Sequence, residues 1–143
     1  MVISIASDHA GFELKEIIKN HFDLNNITYI DFGTHSTESV DYPVYANKVC
    51  ASIKTGESEL GVLVCGTGIG MCIAANKQKN IRAACCGDIY SAKMARLHND
   101  ANVITLGSRV IGSGLAIEVV KKFIATDFEG GRHTGRVNMF DLI

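Results

Sequence analysis

The chain has 143 residues, 15 acidic against 14 basic, for a formal net charge of −1. With 47% hydrophobic and 20% charged residues, it has the composition of an ordinary globular protein, long enough for one domain over 1–143 with one sizeable core. The balanced charge excludes a general nucleic-acid or anionic-membrane binder, which would need many Lys and Arg contacts, and leaves room only for a local anion site.

An apolar run over residues 2–6 reads as a first strand, and Leu14, Ile17, Ile18 and Phe22 then recur at helical spacing. That run is too short for an export signal and follows no basic leader, and no apolar run approaches the roughly 20 residues that cross a bilayer. The expected location is the cytoplasm. Residues 27–32 form a second strand, after which Asp41, Tyr42 and Pro43 open a helix carrying Val44, Tyr45, Val49 and Ile53. Proline suits a first helical turn, where its missing N–H would have had no partner. Residues 61–65 form a third strand, leading into a glycine-rich turn and a short helix over 69–75. Residues 81–86 form a fourth, followed by a helix with Tyr90, Met94 and Leu97. Residues 103–106 form a fifth, followed by Leu115, Val119, Val120, Phe123 and Ile124. The Gly- and Arg-richer tail over 127–143 is compatible with a short closing helix.

Five strand–helix repeats with continuous apolar strands predict a three-layer α/β/α fold around a five-stranded parallel sheet, Rossmann-like or flavodoxin-like. The expected strand order is 2-1-3-4-5. Ligands then collect beyond the carboxyl ends of strands one and three, where the order reverses. The turns there are Asp8-His9-Ala10-Gly11 and Cys65-Gly66-Thr67-Gly68-Ile69-Gly70.

The second turn has the makings of an anion nest, because glycines allow positive φ and the following helix brings its positive dipole end. No Lys follows for a Walker loop, and Gly-x-Gly-x-Gly is not the dinucleotide spacing. A cysteine phosphatase loop would place Arg where Met71 stands. Cys65, at the junction of strand and nest, would have its thiolate stabilised there; read alone, it fits a core thiol as well as a catalytic one. The five cysteines, at 50, 65, 72, 85 and 86, contain no Cys-x-x-Cys pair, so reduced thiols are expected. Cys50, Cys72, Cys85 and Cys86 lie in apolar contexts and read as core residues.

Asp8 is either a helix N-cap or part of a site, while His9 lies across from the nest if the strand order is right. His98-Asn99-Asp100 ends the fourth helix, Arg109 follows strand five, and Arg132 and Arg136 stand four apart. On a helix those two would share one face and could grip a phosphate. This inventory fits proton transfer on a small phosphorylated substrate better than redox chemistry or hydrolysis. It contains no metal-ligand cluster, so neither metal nor cofactor is expected.

The motifs Ser7-Asp8-His9-Ala10-Gly11, Asp41-Tyr42-Pro43, the turn over 65–70, Ala74-Ala75-Asn76-Lys77, Ile81-Arg82-Ala83, His98-Asn99-Asp100-Ala101-Asn102, Gly107-Ser108-Arg109 and Gly130-Gly131-Arg132-His133 together resemble ribose-5-phosphate isomerase of the B type. That family also contains galactose-6-phosphate isomerase subunits. The resemblance implies metal-free interconversion of ribose 5-phosphate and ribulose 5-phosphate through an enediolate, by a homodimer or tetramer whose sites are each built from two chains. It implies Cys65 as the base between C2 and C1, with Thr67 as its hydroxyl neighbour and the amides of Gly66, Thr67, Gly68, Ile69 and Gly70 around the oxyanion. It implies His98, helped by Asp8, for ring opening, Asn99 and Tyr42 for sugar hydroxyls, and His9, Arg109, Arg132 and Arg136 for the phosphate. Some members of the family use a glutamate base from another loop; the presence of Cys65 implies the thiol variant. Galactose-6-phosphate isomerase needs two different subunits for a complete site, whereas this single chain carries every matched position, which favours a pentose substrate. A hexose phosphate isomerase, a non-catalytic sugar-phosphate or nucleotide sensor and a redox thiol protein are the alternatives.

Overall fold

The computed structural model describes residues 1–142. In chain order the elements are β1 (Ile3–Ser7), α1 (Phe12–Leu24), β2 (Tyr29–Asp31), α2 (Tyr42–Thr55), β3 (Leu60–Cys65), α3 (Ile69–Asn76), β4 (Ala83–Cys85), α4 (Ile89–Asn99), β5 (Val103–Gly107), α5 (Ser113–Ile124) and α6 (Arg132–Asn138), then a 3-10 turn over Phe140–Leu142. β1, β3 and β5 are buried throughout, as strands covered on both faces must be. Successive strand residues alternate between faces. Ile3, Ile5, Val62, Val64, Ile104 and Leu106 pack with α1, α4 and α5. Ala6, Leu63, Cys65 and Val103 pack with α2 and α3 on the other side.

All strand pairs are parallel, in the order β2-β1-β3-β5-β4. The expected 2-1-3-4-5 is therefore corrected at the last two positions. Burial gives the reason. Val103–Gly107 is wholly buried and lies inside, whereas Ala83–Cys85 is three residues long, only partly covered, and lies at the edge. Asn76 covers that edge, accepting from the Ala83 N–H at 2.8 Å and donating to its carbonyl at 2.9 Å, a side-chain pairing that blocks strand addition. The second and fourth strands are also shorter than expected, because only three residues of each reach a neighbour. The switch between β1 and β3 is as expected.

There the β1–α1 turn presses directly on β3. A Cβ on Gly11 would lie 2.3 Å from the Val64 carbonyl oxygen, which also accepts the Asp8 N–H at 3.2 Å. α1 begins at Phe12 with Gly11 at its N-cap, so Asp8 does not cap the helix itself; its Oδ1 accepts the Gly11 N–H at 3.0 Å and closes the turn. The closing helix expected in the tail is α6, and Ile143 lies outside the described residues. No helix among the described residues is long and apolar enough to cross a membrane.

One buried charge cluster ties α1 to β2. Lys15 is fully buried, and its Nζ donates to Asp31 and Glu16, each at 2.7 Å; Lys19 reaches Asp31 at 2.7 Å. Burial alone would raise the Asp31 pKa, but hydrogen bonds from Lys15, Lys19 and the Gly33 N–H hold it below the ordinary carboxylate value. A lowered folded-state pKa gives stability that is present above the unfolded value, near 4, and lost as pH falls through the folded value. Asp31→Asn should therefore lower stability near pH 7 by about 3 kcal/mol, the lower end for breaking a buried pair, since Lys15 keeps Glu16. Urea unfolding between pH 7 and 3 should show a flatter acid loss in the variant than in the parent.

Candidate active site

β3 ends at Cys65, which is only 5% exposed. Its Sγ accepts the Gly68 N–H at 3.1 Å, the geometry that stabilises a thiolate at a helix start. Gly68 has φ +80°, and a Cβ there would lie 3.0 Å from both the Cys85 Sγ and the Leu106 backbone. Glycine is thus required twice over, by conformation and by space. The Gly68 carbonyl is fixed by Thr105 Oγ1 at 2.8 Å and by the Cys72 N–H at 3.1 Å. The exposed Thr67 accepts the Ile69 N–H on its hydroxyl oxygen at 3.3 Å, which leaves its own O–H free to donate.

Neighbouring loops close on this turn. The Ser108 N–H donates to the Cys65 carbonyl at 2.9 Å and the Arg109 N–H to the Gly66 carbonyl at 3.0 Å. The Arg109 guanidinium lies beside Gly66, whose Cβ would sit 3.3 Å from Nη1. Tyr42, in the first turn of α2, leans over Gly70 so closely that a Cβ there would be 2.7 Å from its ring. Asp8 is buried at the end of β1. His9 accepts the Val40 N–H on Nδ1 at 3.2 Å; a nitrogen that accepts carries no proton, so the ring is neutral and presents its N–H at Nε2. Asp8, His9, Tyr42, Cys65, residues 66–70 and Arg109 therefore form one constellation at the carboxyl edge of the sheet.

His98, Asn99, Arg132 and Arg136 do not join it within the chain. α4 starts beyond the carboxyl end of β4 and runs back to the amino end of β5, and 11 residues carry the chain about 16 Å. Asp100, next to Asn99, accepts from Arg82 at 2.8 Å and Arg96 at 2.9 Å, which pins this helix end near the start of β4. The segment 132–138 is helical, so Arg132 and Arg136 do share a face, and both are exposed. The His98 ring stacks on that of His133, centroids 4.2 Å apart and 13° from parallel. Glu129 Oε2 lies 3.1 Å from His133 Nε2 and 3.9 Å from His98 Nε2. Glu129 and His133 have no assigned role in the sequence reading above. Their spacing of four, across two glycines, is a weak helical signal, and only the α4–α6 contact shows that they meet His98. A cavity of about 710 Å³ along the outer edge of β4 touches Asn99, Arg82 and Lys79 but not Cys65.

The thiols divide differently from expectation. Cys50 and Cys86 are buried as expected, but Cys72 is half-buried and Cys85 exposed, because β4 is the edge strand.

A model of the ribose/galactose isomerase family matches residues 3–140. Ribose-5-phosphate isomerase B of Escherichia coli is 45% identical over 141 residues, covering 99% of this chain and 95% of that protein. A putative sugar phosphate isomerase of Bacillus subtilis is 49% identical over 138 residues, covering 96% and 93%. Among solved structures, a ribose 5-phosphate isomerase of Thermotoga maritima superposes with a TM-score of 0.98 at 51% identity, covering 99% of this chain and 98% of that one. The isomerase B of Mycoplasma genitalium with bound ribulose 5-phosphate gives 0.93 at 39% identity, covering 99% and 94%.

Burial pushes the Cys50 thiol up to about 11. Burial, reinforced by Cys85 and Asp88, pushes Cys86 up to about 12. Since only the thiolate reacts, brief iodoacetamide treatment of the native protein at pH 8 should leave both unmodified while labelling Cys85. Peptide mass spectrometry checks this order, and raising the pH to 9 should still spare Cys86.

Proposed function

The chain belongs to the ribose/galactose isomerase family, and on that premise we propose how its residues interconvert D-ribose 5-phosphate and D-ribulose 5-phosphate. Cys65, as thiolate, removes the proton from C2 of the open-chain aldose. The electrons of that C–H bond form the C1=C2 double bond, and negative charge gathers on O1. Cys65 returns its proton to C1 while the proton on O2 passes to O1, which leaves a hydroxyl at C1 and the ketone at C2. The single observation that carries this reading is the Gly68 N–H donating to the Cys65 Sγ at 3.1 Å inside a glycine-rich turn that opens α3. The same turn offers the amides of residues 66–70 to the developing oxyanion, and one preorganised donor of this kind is worth about 2.7–4 kcal/mol of barrier. The Thr67 hydroxyl donates to the same oxygen. No metal or cofactor enters these steps.

Ring opening falls to His98 as acid and base, aided by Asp8, while Asn99 and Tyr42 hold sugar hydroxyls. His9 through its Nε2–H, Arg109, Arg132 and Arg136 grip the phosphate, whose binding energy positions the reacting carbons. These residues stand at opposite ends of one chain, so two copies are needed to bring them together. Exposed apolar side chains beside the nest support such a pairing: Ile69 is 57% exposed, Ile73 58% and Tyr90 72%, more than a lone surface needs. We infer a homodimer, or a tetramer of dimers, of one domain spanning 1–143, working in the cytoplasm without nucleic-acid or membrane partners.

Purified protein should interconvert the two pentose phosphates in the presence of EDTA, with a kcat/KM above that for galactose 6-phosphate. Cys65→Ala should lower kcat by roughly 100- to 10,000-fold, the worth of a general base. Tight ribose 5-phosphate binding without turnover would instead indicate a sensor, and a reversible Cys65 disulfide on mild oxidation a redox thiol. The shared site has its own test. Refolding equal amounts of Cys65→Ala and His98→Ala chains together should restore about a quarter of parental activity, since half the dimers are mixed and each mixed dimer has one intact site. A site built within one chain would restore none.

A further inference from the structure

Glu129, His133 and His98 form a cluster outside the thiol nest, and their ligand atoms all lie within 4.8 Å of one another. The composition suggests a metal-ligand set, but the geometry opposes it. Rings stacked 13° from parallel aim their nitrogens side by side rather than at a common centre, as tetrahedral ligation would need. Arg132 and Arg136 also face the cluster and disfavour a cation. The arrangement suits a shared proton instead.

An ionised carboxylate only accepts, so the 3.1 Å contact to Glu129 Oε2 requires the proton of His133 to sit on Nε2. Arg132 Nε, 3.4 Å from the same nitrogen, is then a neighbour and not its donor. Burial first, then His98 and Arg132, lower the His133 pKa and outweigh the opposing pull of Glu129. His133 is therefore neutral at neutral pH, with its N–H committed to the carboxylate. The charged groups facing the His133 ring are Glu129 from the segment before α6 and Arg132 and Arg136 from α6 itself. Among them only Glu129 is acidic, and its second neighbour is His98 Nε2 at 3.9 Å. Glu129 is also tied to α4 through its backbone, its N–H donating to the Leu97 carbonyl at 3.0 Å.

We propose that Glu129 is a positioning residue for His98: through the buried His133, on which the His98 ring stacks, it fixes the plane and place of that ring. Two charged rings would repel in this stack, so the neutral His133 leaves the mobile proton to His98. Protonated His98 can then donate to the furanose ring oxygen as the C1–O bond to it breaks and the O1 hydroxyl passes its proton to Asp8, which leaves the aldehyde at C1; neutral His98 and protonated Asp8 run the reverse step. The proposal rests on the isomerase reading for the consequence in turnover, but its geometric part does not.

Three measurements on full-length protein test it. In Glu129→Gln the His133 ring loses its anchor, so the NMR signal of the His98 Cε1 proton should move toward its position in His133→Ala, where no ring stacks on it. Glu129→Asp should recover part of that shift. In the same Gln variant, ribose 5-phosphate isomerisation at pH 7 should slow about tenfold in kcat, while deuterium wash-in at C1 of ribulose 5-phosphate, which is acyclic and needs no ring opening, should keep its parental rate. An unchanged His98 signal overturns the proposal, and so does an equal loss of isomerisation and wash-in. If the parent protein turns over neither sugar, the isomerase reading fails, and the His98 signal still decides whether Glu129 positions that ring.

Discussion

Every strand in this sheet points the same way, and that shared polarity fixes where chemistry can occur. β3 is hydrogen-bonded on both sides, to β1 and β5, so its end at Cys65 is held more rigidly than any loop. The next residues must turn at once into α3. They do so with the Gly68 N–H directed at the sulfur, which converts the geometric need for a turn into an electrostatic environment for a thiolate. The same polarity sends each helix back to the other edge, so residues at helix ends face away from the nest. Separation of His98 from Cys65 in one chain follows from topology and not from any local choice of residue.

Close approach is the second consequence. The loops after β1, β3 and β5 converge at the carboxyl edge, and glycine stands where backbones meet. A Cβ on Gly107 would lie 2.7 Å from the Thr67 backbone, as one on Gly11 would strike the Val64 carbonyl. Such contacts keep the nest narrow, and a narrow nest excludes water from an oxyanion, where each donor is worth most. They also explain why apolar strands and tight turns alternate so regularly along the chain.

Much of this is legible in the sequence. Apolar runs such as Ile3–Ser7 and Val103–Gly107 have no reading other than doubly covered strands, and Gly-x-Gly-x-Gly after Cys65 marks the nest without any structure. What is not legible depends on neighbours in space. Strand order beyond β3 turns on which of two runs is more completely covered, and the weak Ala83–Cys85 becomes the edge only because Val103–Gly107 outcompetes it for the interior. Cys85 loses its expected core place for the same reason. Lys15 is the opposite case: a lysine on an amphipathic helix reads as surface, yet Asp31 and Glu16 make its complete burial tolerable. Pairings such as His98 with His133 join residues 35 positions apart in two helices, and no periodicity within either helix announces them.

The proposed division of the site between chains would have a thermodynamic meaning beyond geometry. Arg132 and Arg136 are exposed side chains with the charge to hold a phosphate but without a nest beside them, and the nest has a thiol but lacks His98. Each half alone is a stable surface: two solvated arginines on one helix, a satisfied turn at one strand end. Neither needs strain or buried unpaired charge to exist. In the proposed pair, association would supply the substrate site as a by-product of covering the exposed Ile69 and Ile73, so the apolar contact would bear the cost of positioning and leave the polar residues free to change partners with the sugar. Because a ligand that binds only the assembled form stabilises that form by mass action, a phosphate bridging the two halves would draw them together, coupling occupancy of the site to the integrity of the pair.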